Sequence, residues 1–261
     1  MNMQIELALS TLVLPLALSF LVQKLSASNK QVMTIGVFIT WLISYLWIAG
    51  IPSIPPKEAI EWSIYLSTFF IIGSLILKTE SSKALLFGAL SLLGIILIAL
   101  PVIRHAPELQ LFFELSFFAL VVIFITYRMR NSSQASPALS LGISNGGLAI
   151  VAGLGGSLLI GQLAGALASA LGAFAIYELI NKLEQKQMIK STRLLATLLS
   201  LLMLVVARIY AELPLVSVAL LALSLILGLS IKWRFASALS LIAVIGSIAN
   251  LLLTADQSSY Y

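Results

Sequence analysis

Residues 137–180 read PALSLGISNGGLAIVAGLGGSLLIGQLAGALASALGAFAIYELI, forty-four residues with no charge before Glu178. One helix of that length would run about 66 Å at 1.5 Å per residue, twice the hydrocarbon thickness of a bilayer. Gly153-Leu154-Gly155-Gly156-Ser157 is the place to turn, because clustered glycine and serine break a helix more readily than they continue one. The stretch therefore predicts two antiparallel spanning helices, 137–153 and 157–180.

Eight further apolar runs flank this pair: 5–23, 31–50, 60–77, 84–103 and 107–127 before it, and 193–211, 214–231 and 235–254 after it. Pro55-Pro56, Pro107 and Pro214 stand at helix entries, where the missing N–H and fixed φ of proline are tolerated. The fold class expected is all-α, a polytopic membrane bundle of about ten transmembrane helices.

The basic residues test the split independently. With the N-terminus outside and ten spans, the inner side holds Lys24, Lys30, Lys78, Lys83, Arg128, Arg130, Lys182, Lys186, Lys190, Arg193, Lys232 and Arg234. The outer side holds Lys57, Arg104 and Arg208, a clear positive-inside bias. Treating 137–180 as one span would move everything from Lys182 onward to the opposite face, and the bias would fall. Trp47, Trp62, Tyr65 and Tyr210 lie near outer ends and Tyr127, Tyr177 and Trp233 near inner ends, as interfacial aromatics do. Trp41 and Tyr45 lie deeper and are expected to pack inside the bundle.

Composition agrees with a chain embedded in lipid. It is 60% hydrophobic and 10% charged with a mean hydropathy of +1.08, whereas soluble domains carry about 25% charged residues. The net charge of +5 does not indicate nucleic acid, because the cations sit singly or in pairs between apolar runs rather than on a basic face. There is no cysteine, which excludes disulfides and thiolate metal sites. The first lysines, Lys24 and Lys30, follow the first apolar run, the charge order of an uncleaved first helix. The expected location is the inner membrane, multi-pass, with both termini outside.

The polar linker Arg128–Ser136 divides the chain into halves of five spans, 1–131 and 132–261, within one membrane domain. Five is odd, so the second half enters with inverted orientation. The longest connection in each half follows its second helix, the pattern of an inverted-topology repeat. Loop placement and parity carry that expectation; the halves show no residue-level similarity.

Most catalytic chemistry lacks its residues. Asp256 is the only aspartate and His105 the only histidine, so paired aspartates and imidazole metal sets are excluded. Gly155-Gly156-Ser157 resembles a nucleophile turn superficially, but Leu158 follows the serine and no histidine lies downstream. No enzyme, cofactor or metal is expected.

The candidate substrate- or ion-binding residues are Glu114, Asn145, Gly146, Gly147 and Gln162. Glu114 is the one carboxylate well inside a span, where an ionised acid costs roughly 2.5–3.5 kcal/mol at the helix centre. It is expected either to couple proton or cation movement or to hold a structural hydrogen bond, sharing a polar cavity with Gln162 or with Asn145–Gly147. Ser144-Asn145-Gly146-Gly147 is expected to interrupt its helix at the midplane, where carriers bind substrate through freed backbone groups; the plainer reading is close helix contact. Ser157, Gly161, Gly165, Ser169 and Ala173 recur every four residues and form a flat stripe for close helix packing. Its partner is a helix of this chain, a second copy, or another membrane subunit. Arg208–Glu212 and Glu178–Lys182 are expected to be interfacial ion pairs one turn apart.

Two functions follow as expectations. One is a small secondary transporter or permease for a small or largely apolar solute. The other is a non-catalytic membrane subunit or scaffold packing against partner proteins or lipids.

Overall fold

The computed structural model describes residues 3–25, 30–105, 109–131, 138–180, 188–230 and 233–258. Every regular element among them is helical. The helices are α1 (Met3–Ala8 and Leu14–Leu25, joined by a π-turn, Leu9–Val13), α2 (Lys30–Ile48), α3 (Trp62–Ile76, entered by a 3-10 turn, Ala59–Glu61), α4 (Glu80–His105) and α5 (Leu109–Asn131). After them come α6 (Ala138–Leu154), α7 (Leu158–Ile180), α8 (Lys190–Tyr210), α9 (Leu215–Ser230) and α10 (Trp233–Ser258). Eight are long and apolar enough to cross a membrane; α6 and α9 are apolar but shorter.

The stretch 137–180 does turn at its glycines. Gly156 takes a left-handed φ of 99°, which lets the chain reverse between α6 and α7 without a Cβ clash. Several helices outrun their apolar cores: α4 begins at Glu80 and α5 continues to Asn131. Hydropathy marks the lipid-facing length, whereas the backbone ladder continues through charged residues that are good helix formers.

At the centre stands α8, in which every residue from Ser191 to Ala207 is buried. It is surrounded by α2, α3, α4, α6, α7 and α9. Trp41 and Tyr45 are buried against this core with ring centroids 5.6 Å apart, the packing role expected of them.

The small stripe of α7 is used inside the chain. Gly161 lies against the backbone of α6: a Cβ placed there would be 2.9 Å from the Ala149 carbonyl oxygen. Farther along, the Ser169 hydroxyl donates to the Thr11 carbonyl of α1 at 2.9 Å. Pro15, which has no N–H to donate, follows the π-turn, and the Ser169 hydroxyl stands between the Thr11 carbonyl and the Gly165 carbonyl of its own helix, 2.9 Å from each.

A second seam joins α9 and α10. Ser217 and Ser224 are seven residues apart on one helix, Ser240 and Ser247 seven apart on the other. A seven-residue spacing keeps side chains on one facing edge of a left-handed helix pair. Ser217 Oγ donates to the Ser247 carbonyl at 2.9 Å and Ser247 Oγ returns to the Ser217 carbonyl at 3.0 Å. Ser240 Oγ donates to the Ser224 carbonyl at 3.0 Å, and Ser224 meets Ser144 of α6 at 2.6 Å. Without a hydrophobic drive between helices in lipid, such contacts and close approach hold the seam. Ser247→Ala is expected to destabilise the protein by about 0.6–1.7 kcal/mol, the range for interhelical hydrogen bonds in membranes. Ser247→Leu should cost more by wedging the helices apart. Unfolding midpoints in detergent would rank the two.

Candidate functional site

Glu114 lies five residues into α5 and is 6% exposed. Its carboxylate is not alone. Arg208 of α8 donates through Nε to Glu114 Oε2 at 3.0 Å and through Nη2 to Oε1, a two-pronged pairing of guanidinium and carboxylate. Gln110, one turn back on α5, donates its amide to Oε1 at 2.9 Å. Arg208 Nη1 donates to the Leu213 carbonyl at 2.6 Å, so the same guanidinium ties the α8–α9 turn.

This arrangement corrects two expectations. Arg208 does not pair with Glu212 along one helix, because α8 ends at Tyr210 and the four-residue spacing no longer exists beyond it. Glu212 instead occupies the turn with a left-handed φ of 50°. Nor does Glu114 share a cavity with Gln162 or with Asn145–Gly147. Its helix packs on α4 and α9, whereas α7, which carries Gln162, packs on α6, α1, α2 and α8. Similar depth along the bilayer normal does not make two residues neighbours. Lys182 of the expected Glu178–Lys182 pair lies outside the described residues.

Asn145 is fully buried and tied twice. Its Nδ2 donates to the Leu141 carbonyl at 2.8 Å, and Ser200 Oγ of α8 donates to its Oδ1 at 2.9 Å. The expected interruption at Ser144–Gly147 is absent: α6 runs unbroken from Ala138 to Leu154. Gly147 allows the close approach of Val244, whose Cγ2 would stand 2.5 Å from an added Cβ. Gly146 faces open space. Tertiary packing therefore overrides the low helix propensity of these residues.

The Glu114–Arg208 pair lines a cavity of about 400 Å³ between α4, α5 and the α8–α9 turn. Val102, Leu111 and Ile209 supply apolar walls, and Gln110 and Glu212 supply polar edges. The lining carries one positive and two negative charges. A nearly buried ion pair is a poor source of stability, since apolar residues of similar volume often do as well or better.

Sequence reasoning treated Arg208 as structural and passed over Glu61. Glu61, 7% exposed, accepts from Ser53 N at 2.8 Å, Ser53 Oγ at 2.8 Å, Lys57 N at 2.6 Å and Glu58 N at 3.2 Å. Glu58 and Glu61 also form a capping box at the start of α3. The available signal was an acid three residues after another acid at a helix entry.

Compared with protein-family models, curated proteins and solved structures, the chain matches none.

Proposed function

We propose that this chain is a small multi-pass permease for a small or largely apolar solute whose polar end engages the cavity lined by Glu114 and Arg208. The observation that carries the reading is a nearly buried ion pair that lines a largely polar cavity. Val102, Leu111 and Ile209 would meet the apolar part of a ligand, and the charged and amide groups that make up most of the lining would hold its polar end. The proposal includes ten crossings, with α6 and α9 spanning despite their length; seventeen residues of α6 rise about 26 Å, near the lower limit for a crossing. It also places the chain in the inner membrane with both termini outside, on the charge asymmetry. The inverted repeat enters through count and parity alone. In the packing α6 lies on α9 and α10, but α1 has no comparable contact with α4 or α5.

The scaffold reading draws on a different observation. Deep hydroxyls and Asn145 bond within the chain, as do Thr34 with Ser191 and Thr192 at 3.0 and 2.9 Å. Such an interior is built for packing. The stripe of α7 lends this reading no support, since α6 and α1 occupy it. Purification in mild detergent and reconstitution in liposomes separates the two. A permease exchanges solute across the vesicle wall and loses that flux in Glu114→Gln with folding retained. A scaffold retains a stoichiometric partner protein and shows no flux, which would overturn the proposal.

A further inference from the structure

We infer that the loop joining α2 to α3 is a preformed apolar tip that seats in the lipid interface at its end of the bundle. Ile51 and Ile54 are 90% and 88% exposed, the two highest values among the large hydrophobic residues described. In water, two isoleucines displayed in this way would carry the full penalty of apolar hydration. The display is also organised. The buried Glu61 carboxylate collects the Ser53, Lys57 and Glu58 amides and the Ser53 hydroxyl, while the Tyr65 hydroxyl donates to the Ser53 carbonyl at 2.5 Å. Pro52, Pro55 and Pro56 restrict the backbone further. A tip already ordered loses little conformational freedom when it docks.

The occupant is lipid rather than a second protein, because the tip extends an exposed stripe of α2. Ile39, Ile43 and Trp47 follow one another at four-residue spacing on α2 and all are exposed, and Ile51 comes three residues after the helix ends at Ile48. Residues so spaced lie on one helix face. The stripe leads through Trp47, an interfacial residue type, straight into the loop. Lys57 and Glu58, both exposed, follow on the far arm, where charges meet water. The inference depends on the membrane setting of the helices and not on the permease reading.

The absence of cysteine makes the test direct. Single variants Ile51→Cys, Ile54→Cys, Lys57→Cys and, as a lipid-facing control on α5, Ile123→Cys are spin-labelled in the full chain. They are then reconstituted in phosphatidylethanolamine–phosphatidylglycerol vesicles. Labels at 51 and 54 are expected to collide with oxygen more often than the label at 57 and less often than the deeper label at 123. Their collision with a water-soluble nickel chelate should be about tenfold lower than at 57, because the chelate is excluded from hydrocarbon. Adding Glu61→Gln, or Ser53→Ala should the first variant fail to fold, should raise chelate collision at 54 by loosening the loop. Labels at 51 and 54 that behave like the one at 57 would overturn the inference. So would labels that become shielded only when a second protein is added.

Discussion

Arg208→Ala is expected to destabilise the protein by about 3–5 kcal/mol, the cost of removing one partner from a buried ion pair. The substitution leaves the Glu114 carboxylate 6% exposed with only the Gln110 amide for company, and it also frees the Leu213 carbonyl. Glu114→Gln should cost clearly less. Its side-chain oxygen still accepts from Arg208, and the guanidinium, 14% exposed, keeps its bond to Leu213. The double variant Glu114→Gln/Arg208→Gln should recover part of the Arg208→Ala loss, because no unpaired charge then remains. Chemical unfolding of the three variants in detergent decides the matter. Equal losses for all three would mean that the pair acts only through packing.

The second large effect belongs to Gly161. A methyl group there would meet the Ala149 carbonyl oxygen at 2.9 Å and the Gly153 Cα and N at 3.1 Å. These are backbone atoms and cannot rotate away, so α6 and α7 must separate. Gly161→Ala is therefore expected to lose about 1–3 kcal/mol by overpacking, even though alanine is the better helix former by about 1 kcal/mol. At Gly165, one turn on, an added Cβ would have only Ala149 Cβ at 3.8 Å and Thr11 Cβ at 4.0 Å as neighbours. Gly165→Ala should be neutral or slightly stabilising. Gly165→Leu should be harmful, because its outer carbons would enter the space between α6 and α1. Thermal melts of the three purified variants test the ordering, and a well-tolerated Gly161→Ala would refute the backbone contact.

These two sites show what was legible in the sequence. The helices follow from apolar runs whose length and charge spacing answer to the bilayer, and Gly153–Ser157 marked the turn within 137–180. The four-residue stripe on α7 gave close packing correctly, but periodicity on one helix does not name its neighbour. Glu114 was recognisable as a buried acid that needs a partner. That the partner is Arg208 depends on how α5 and α8 pack, a relation between residues 94 apart in sequence. Asn145 and its glycines misled for the converse reason: low local propensity was overcome by Ser200 and Val244 on neighbouring helices. The serine pairs of α9 and α10 were readable from their seven-residue spacing, a signal as plain as the α7 stripe.

We propose that the bundle crosses the bilayer ten times, with 137–180 passing out and back. Because the chain has no cysteine, Ser136→Cys, Gly156→Cys and Gln185→Cys each offer one thiol to a membrane-impermeant maleimide. The account predicts that Gly156→Cys is labelled in intact cells, whereas Ser136→Cys and Gln185→Cys are labelled only after permeabilisation. Labelling of positions 136 and 185 from opposite sides of the membrane would contradict it.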